Sequence, residues 1–218
     1  MYEVILFDLD GTLTDPGEGI TNSVAHALER LGRPVPPRQA LYRFIGPPLC
    51  ESFMDFCGLD RPGGLRAVEL YREYYREKGI WENQVYAGIP ELLAQLRSAG
   101  RKLLVATSKP EEFAHQILEH FHLSPYFDFV SGASMDSRRV RKADVIARAL
   151  AHEGLTPGPE LVMVGDREHD VLGAREAGLD CVGVLFGYGS RAELEAAGAA
   201  KIAATVPELA RILLEVRP

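Results

Sequence analysis

The amino-acid sequence predicts an α/β protein: a doubly wound parallel sheet interrupted by an inserted all-helical domain. The first observation is the apolar run at residues 4–7, which is typical of a buried strand. The second is helical periodicity between about residues 16 and 86, with no convincing strand. The third is an alternation of helices and strands from Ile89 onward, which favours a Rossmann-like sheet covered on both faces.

The inserted segment repeats apolar residues at intervals of three and four, the spacing of one helix face. In the first predicted helix these residues are Ile20, Val24, Ala27, Leu28 and Leu31, followed by Gly32. Further helices are expected over residues 39–44, 48–56 and 65–78. An aromatic stripe in the last of them indicates core packing rather than a ligand platform; it comprises Leu70, Tyr71, Tyr74 and Tyr75.

Beyond the insert, predicted strands and helices alternate along the chain. Strands are expected over residues 102–106, 127–131, 161–164, 181–186 and 202–204. Helices are expected over residues 90–99, 111–121, 143–152, 171–177, 192–197 and 207–214. This reading assigns residues 1–15 and 87–218 to an α/β core and residues 16–86 to the helical insert. In such a core, reactive groups gather at the carboxyl ends of the strands.

Composition and charge narrow the class of function. A net charge of −7 with both signs mixed leaves no basic stripe, so we expect no nucleic-acid partner. The cysteines Cys50, Cys57 and Cys181 lack a C-x-x-C spacing, which is typical of a reduced, cytoplasmic chain. The N-terminal apolar run is too short for a signal peptide, and no run approaches the roughly 20 apolar residues of a membrane span. We therefore expect a cytoplasmic protein without a membrane partner, and a monomer is the default expectation.

Two carboxylates one residue apart, Asp8 and Asp10, follow the first predicted strand. Because side chains at i and i+2 of an extended segment share a face, we expect both to leave the strand in one direction, with Gly11 letting the backbone turn behind them. A hard divalent cation relieves their repulsion, as magnesium-assisted phosphoryl transfer requires. Taken alone, an Asp-x-Asp pattern is more often the ordinary chemistry of a turn.

A second acidic turn, residues 165–170, follows the strand predicted at 161–164. Asp166 is placed there as Asp8 is in the first turn, and Asp170 lies one helical turn later on the same side. Helix capping by acids is the alternative reading. Thr107 and Ser108 also follow a predicted strand, where their hydroxyl and N–H groups suit either a phosphate oxygen or a helix N-cap.

A basic run at residues 138–142 precedes the helix predicted at Ala143. A solvated loop accounts for most of it, yet a phosphate bound among carboxylates needs a cation on its open side, and a lysine ammonium serves as a compact charge. The remaining charged residues near the motifs receive no catalytic role: Lys109 is expected to be peripheral or solvated, His169 exposed or structural, and Arg43 a surface residue.

The four motifs, in this order, resemble those of the haloacid dehalogenase-like superfamily, most of whose members are phosphatases. The run Phe7-Asp8-Leu9-Asp10-Gly11-Thr12-Leu13 resembles the first motif, and the insert takes the place of the superfamily's helical cap. The resemblance implies three sets of site residues: catalytic Asp8, Asp10 and Lys142; substrate-binding Thr107, Ser108 and Lys142; and Mg²⁺ ligands Asp8, Asp10 (backbone carbonyl) and Asp166, with Asp170 orienting the metal's waters. A proline usually follows the lysine of the third motif, and this chain has Ala143 and Asp144 instead.

Two further stretches, residues 44–49 and 187–190, resemble the subgroup that contains phosphoglycolate phosphatases and some 5′-nucleotidases. The implied function is Mg²⁺-dependent hydrolysis of a small phosphomonoester, such as phosphoglycolate or a nucleoside 5′-monophosphate, through an aspartyl-phosphate. A phosphomutase of the β-phosphoglucomutase type and a non-catalytic regulatory protein on the same scaffold are the alternatives. A dehalogenase is disfavoured because its chemistry uses neither a proton-donating Asp10 nor magnesium.

Overall fold

A computed structural model describes residues 1–135 and 139–215. The strands, in chain order, are β1 Val4–Phe7, β2 Thr14–Asp15, β3 Gln84–Val85, β4 Lys102–Pro110, β5 Phe129–Ala133, β6 Leu161–Gly165, β7 Asp180–Val184 and β8 Lys201–Ala203. The helices are α1 Gly17–Arg30, α2 Arg38–Leu41, α3 Leu49–Cys57, α4 Arg61–Tyr74, α5 Ile89–Ser98, α6 Glu111–His120, α7 Lys142–Glu153, α8 Glu168–Glu176, α9 Arg191–Ala197 and α10 Val206–Leu214. Short 3₁₀ turns cover Tyr42–Phe44 and Ser124–Tyr126, and a π-helical turn covers Tyr75–Gly79.

The chain forms two compact units, one of Met1–Thr14 with Val85–Pro218 and the other of Asp15–Gln84. In the first unit, six strands form one sheet in the order β5-β4-β1-β6-β7-β8, and each neighbouring pair is parallel. The chain builds outward from β1 in one direction and then in the other. The strand order therefore reverses at β1, where the carboxyl ends of β4, β1 and β6 lie side by side.

The central strands are apolar along their whole length because both faces of the sheet are covered. On one face, Val4 and Leu6 of β1 join an apolar cluster with residues of α7, α8 and α9. By alternation, Ile5 and Phe7 point to the opposite face, and both are fully buried. The predicted α/β class with a doubly wound parallel sheet is thus confirmed.

The second unit is built from helices that pack closely. Helix α1 packs against α4 and against the π-helical turn that follows it, where a Cβ on Gly19 would lie only 1.8 Å from the Gly79 carbonyl oxygen. Most of the predicted aromatic stripe forms core: Leu70, Tyr71 and Tyr75 are buried, and the rings of Tyr71 and Tyr75 stack with centroids 5.3 Å apart. Tyr74 is only partly buried, and its hydroxyl donates to Glu82 at 2.9 Å. The helical nature of the insert is confirmed. None of the helices in the described ranges combines the length and hydropathy needed to cross a lipid bilayer.

Two features differ from the sequence-based expectations. Residues 16–86 were predicted to contain no strand, but β3 lies among them and pairs with β2. Two residues are too few for alternation to be recognised in a sequence. Strand β4 was predicted to end at Ala106, but it continues to Pro110 through a shift in its pairing with β5. Thr107 and Ser108 therefore lie in extended backbone rather than at the N-cap of α6, which is Pro110.

Candidate active site

Three neighbouring strands bring the predicted site residues to one edge of the sheet. Phe7 of β1 is level with Val105 of β4 and with Val164 of β6. The residues just beyond this level are Asp8 after β1, Thr107 near the end of β4 and Asp166 after β6. The Asp8 backbone N–H donates to the Val164 carbonyl oxygen at 2.9 Å, which ties the first turn to β6. The switch point of the sheet thus carries residues from three of the four motifs.

A cluster of three acids, Asp8, Asp166 and Asp170, forms the centre of this edge. All three are buried, and one carboxylate oxygen from each lies within 4.8 Å of the others. Burial raises the pKa of Asp166 well above its ordinary value, Asp170 raises it further, and the Tyr188 N–H opposes the shift. Burial also raises the pKa of Asp170, against the influence of Lys142. The cluster concentrates negative charge that the fold by itself does not favour.

Lys142, the first residue of α7, neutralises part of that charge. Its ammonium nitrogen lies 2.8 Å from Asp8 Oδ1 and 2.8 Å from Asp170 Oδ1, and it donates to the Ala106 carbonyl oxygen at 3.0 Å. Burial disfavours the charged lysine, but the two carboxylates more than offset this and raise its pKa. Lys142 therefore stays protonated and links the turn after β1, strand β4 and the start of α8 through one cation.

The rest of the basic run follows different paths. Arg139 donates to the Gly132 carbonyl oxygen at 3.0 Å, and Arg141 is exposed and pairs with Glu176. Arg138 lies outside the described residues. The sequence predicted a solvated loop for most of residues 138–142 and a site role for Lys142. Arg141 is exposed as expected, and Lys142 is buried.

Asp10 takes a different partner from Asp8. Its Oδ2 lies 2.5 Å from the ammonium nitrogen of Lys109, and both side chains are buried. The expectation that Lys109 is peripheral or solvated was wrong, because the extension of β4 carries it to Asp10. Burial raises the pKa of Asp10, whereas Lys109 opposes the rise. The two acids of the first turn therefore do not point to one shared partner.

Thr107 is buried and its hydroxyl accepts the Lys109 backbone N–H at 3.2 Å, while Ser108 is partly buried. His169 is half-buried in the first turn of α8. Arg43, in the helical unit, is exposed, donates to the Ala40 carbonyl oxygen and lies over the Phe56 ring. The surface reading of Arg43 agrees with this arrangement.

The loop after β7 packs tightly on the acid cluster; residues 187–190 carry a subgroup resemblance in the sequence, which did not place them at the site. The Tyr188 backbone N–H donates to Asp166 Oδ2 at 2.7 Å. A Cβ on Gly187 would lie 2.2 Å from the Gly11 carbonyl oxygen, and one on Gly189 would lie 1.8 Å from the Asp166 carbonyl oxygen. The two glycines were the available signal, because a G-x-G stretch at a strand end permits close approach of backbones.

The donor set fits a hard divalent cation. Asp166 Oδ1 is buried and accepts no hydrogen bond from the described residues. Such a carboxylate oxygen is costly unless a cation or donor meets it. Three carboxylates within reach of one another provide the oxygen ligands that Mg²⁺ and Ca²⁺ prefer. The Asp10 carboxylate lies outside this group, so the predicted ligand from Asp10 is confined to its backbone carbonyl.

Comparison with known proteins gives consistent results. The sequence model described as haloacid dehalogenase-like hydrolase matches residues 5–184. A Pseudomonas aeruginosa protein named 5′-nucleotidase is 49% identical over 195 residues, covering 89% of this chain and 88% of that protein. A Mycobacterium tuberculosis protein named tyrosine-protein kinase PtkA is 44% identical over 214 residues, covering 97% of this chain and 72% of that protein. The crystal structure of a predicted phosphatase from Clostridium acetobutylicum aligns with a TM-score of 0.96 at 45% identity, covering 99% of this chain and 100% of that one.

Proposed function

This chain belongs to the haloacid dehalogenase-like hydrolase family, and from that premise we propose a Mg²⁺-dependent phosphatase that works through an aspartyl-phosphate. The class of activity is hydrolysis of phosphoric monoesters in small molecules. The observation that carries the mechanistic part is the buried cluster of Asp8, Asp166 and Asp170 at the switch point, with Lys142 paired to two of its members. This geometry supports Asp8 as the nucleophile, with Asp166 and Asp170 beside it as the carboxylates of the metal site.

In the first step, a carboxylate oxygen of Asp8 attacks the phosphorus atom. The bond from phosphorus to the ester oxygen breaks, and Asp10 gives its proton to that oxygen, so that an alcohol leaves. Burial raises the pKa of Asp10 although Lys109 opposes the rise, and a raised pKa is the direction that the acid role requires. The product of this step is a phosphoryl group bonded to Asp8.

In the second step, water attacks the same phosphorus atom and gives a proton to Asp10. The bond between phosphorus and the Asp8 oxygen breaks, inorganic phosphate forms, and both aspartates return to their starting states. Asp10 therefore acts first as an acid and then as a base.

The other residues supply charge and orientation. Lys142 acts on the phosphoryl oxygens through the charge that it holds beside Asp8. Thr107 and Ser108 contact the phosphoryl group from the end of β4. Asp8, Asp166 and the Asp10 backbone carbonyl would hold Mg²⁺, Asp170 would orient its waters, and the bound ion would neutralise the negative charge that otherwise repels the substrate.

We further propose a nucleoside 5′-monophosphate as the substrate, with phosphoglycolate as the second candidate. The relative named 5′-nucleotidase, at 49% identity, supports this order. We also propose that the helical unit, Asp15–Gln84, is the cap that selects among phosphomonoesters. In this proposal the helical unit determines substrate specificity, and the unit that contains the parallel sheet carries the catalytic residues.

The test is a phosphate-release panel with purified protein. It contains several nucleoside 5′-monophosphates, phosphoglycolate and p-nitrophenyl phosphate, each with Mg²⁺, with Ca²⁺ and with EDTA. We expect inorganic phosphate in the Mg²⁺ arm, loss of release with EDTA, and the highest kcat/KM for a nucleoside 5′-monophosphate. A preference for phosphoglycolate would overturn the substrate, and release that is equal in EDTA would overturn the role of the metal.

The same panel separates the rival functions. A phosphomutase returns the phosphoryl group to a second hydroxyl and depends on a bisphosphate primer, whereas the proposed phosphatase releases phosphate without one. The relative named a tyrosine-protein kinase makes a further control useful: incubation with ATP and a tyrosine-containing peptide, followed by mass spectrometry. Phosphopeptide formation without phosphate release would contradict hydrolysis, and absence of any turnover would favour a regulatory protein.

A further inference from the structure

Lys109 is a buried lysine that the mechanism above does not use. Its side chain is 5% exposed, and its ammonium nitrogen lies 2.5 Å from Asp10 Oδ2. Burial of a lysine is costly and is tolerated when an acid accompanies it. The partner here is the residue to which the acid and base steps are assigned.

An irregularity in strand β4 determines the position of Lys109. Strand β4 shifts its pairing with β5 between Ala106 and Pro110, which inserts extra residues into the strand. Within this segment, the Lys109 N–H donates to the Thr107 hydroxyl oxygen at 3.2 Å. One irregular stretch therefore fixes both a hydroxyl proposed to meet the phosphoryl group and a cation that meets Asp10. Irregularities of this kind often re-aim side chains next to active sites.

The two oxygens of Asp10 have unequal surroundings. Oδ2 meets Lys109, whereas Oδ1 is buried and accepts no hydrogen bond from the described residues. The neighbouring Gly11 has a φ of +81°, so the backbone turns sharply just after Asp10. A short side chain at such a turn has several orientations open to it, and the contact with Lys109 selects one of them.

We propose that Lys109 is a positioning residue that holds Asp10 by Oδ2, so that Oδ1 is the oxygen that exchanges a proton with the leaving group and with water. The inference rests on the proposed function, because it assumes that Asp10 is the acid and base. Lys109 differs in this from Lys142, whose contacts are with Asp8 and Asp170. One lysine supports the nucleophile and the other supports the acid.

The proposal makes a prediction that depends on the leaving group. Proton donation matters greatly for an alkyl phosphate, whose alkoxide is a poor leaving group, and little for p-nitrophenyl phosphate, whose phenolate leaves readily. We therefore expect Lys109→Met to lower kcat/KM about a hundredfold for the best alkyl phosphate and less than about threefold for p-nitrophenyl phosphate. The parameter kcat/KM covers the steps up to departure of the alcohol, so hydrolysis of the phosphoenzyme does not enter it.

Both substrates are measured on the same preparation, so an inactive fraction cancels in the ratio of the two kcat/KM values. Lys109→Arg keeps a cation that can hold Oδ2 and is expected to restore much of the ratio. Lys102→Met is the matched control: Lys102 begins the same strand and pairs with Glu153 at the far end from the site, so this variant should keep the wild-type ratio. Lys109→Gln provides a second neutral variant should the methionine substitution prevent folding.

Uniform loss for both substrates in Lys109→Met and Lys109→Gln would overturn the inference, because direct contact with the phosphoryl group or a purely structural role has that effect. Asp10→Asn, measured alongside, separates this failure from that of the proposed function. If Asp10→Asn shows the selective loss and the Lys109 variants do not, only the role of Lys109 is wrong. If Asp10→Asn itself spares the alkyl phosphate, the assignment of Asp10 as the acid is wrong, and the Lys109 inference is overturned with it.

Discussion

The two acidic turns look alike in sequence but direct their carboxylates differently. After β1, Asp8 joins the acid cluster and Asp10 pairs with Lys109. After β6, Asp166 and Asp170 both join the cluster. The two acids of the first turn contact different lysines, Lys142 and Lys109, whereas both acids of the second turn lie in the acid cluster.

Spacing and backbone explain the difference. Asp166 directly follows β6 and Asp170 lies in the first turn of α8, and the short connection between them brings both carboxylates into the cluster. Asp170 Oδ2 also accepts the Arg167 backbone N–H at 3.0 Å, which fixes its orientation at the start of the helix. Asp8 and Asp10 are two residues apart, but both lie beyond Phe7, the last residue of β1, and the chain turns at Gly11 directly after them. The regular alternation of a strand therefore does not hold their side chains on one face. In the proposed mechanism the first turn therefore supplies two chemical roles, and the second supplies ligands.

Asp8→Asn tests the centre of this comparison and should have the largest effect. An amide cannot serve as the nucleophile, so we expect phosphate release to fall by more than about a thousandfold. The fold should persist, because the amide retains an oxygen for Lys142. Steady-state turnover with Mg²⁺, accompanied by circular dichroism, measures both. Asp180→Asn, an exposed acid at the opposite end of β7, is the matched control and should retain full activity; near-native turnover of Asp8→Asn would exclude the covalent route.

Lys142→Met tests the cation that joins the two turns. Asp8 and Asp170 would then be buried without their shared partner, and we expect a loss of about 3–5 kcal/mol in the free energy of unfolding. Urea denaturation measures this. Adding Asp170→Asn to the variant should recover part of the loss, because it removes one of the two unpaired carboxylates. Lys102→Met breaks a partly exposed pair and should cost less than about 1 kcal/mol. Equal losses in the two lysine variants would contradict the central role of Lys142.

Asp166→Asn tests whether Mg²⁺ binding depends on the second acidic turn. At about a hundred times its Kd, Mg²⁺ should add about 2.7 kcal/mol to the stability of the wild-type protein and raise its Tm. The variant should lose most of this shift. Since burial raises the pKa of Asp166, its charged form is penalised in the metal-free fold at neutral pH, and the metal-free variant should melt no lower than the wild type.

Asp10→Asn is the informative companion in the same melting experiment. It keeps the backbone carbonyl, and its side chain lies outside the cluster, so the Mg²⁺ shift should persist. A lost shift in Asp10→Asn together with a retained shift in Asp166→Asn would reverse the roles assigned to the two turns.

Glu193→Gln affects only the support of the second turn and should have the smallest effect. Glu193 Oε1 accepts from Arg167 Nε at 2.8 Å and from the Glu168 N–H at 2.9 Å. Replacing it should lower the free energy of unfolding by about 1 kcal/mol at neutral pH. Although burial opposes the shift, these donors lower the pKa of Glu193. Its contribution is therefore present above the ordinary pKa of 4.5 and is lost as pH falls through the lower folded value.

Urea denaturation of wild type and variant on both sides of pH 4.5 checks this sign. The difference in stability should narrow on the acid side. A difference that grows as pH falls would mean that the contacts of Glu193 do not favour its charged form.

Much of the site followed from pattern alone. Parallel strands place their carboxyl ends at one edge, so motifs after predicted strands could be expected to meet, and Asp8, Asp166 and Asp170 do meet. The family resemblance that these motifs carried is confirmed by the match over residues 5–184. Pattern failed for Lys109, because the register shift that extends β4 depends on β5, and no periodicity within β4 encodes it.

The sequence by itself determined most of the helices, the six strands of the main sheet and their order along the chain, because apolar periodicity and the glycines that end it are local properties of the chain. It also determined which acids stand at strand ends. It did not determine the two-residue strands β2 and β3 or the extension of β4. Only the tertiary structure decided which lysine each acid contacts. Asp10 and Lys109 are 99 positions apart, and Lys142, which contacts Asp8, begins the helix that follows β5. Charge pairing of this kind depends on distances of a few ångströms between distant segments, which packing of the sheet and helices sets.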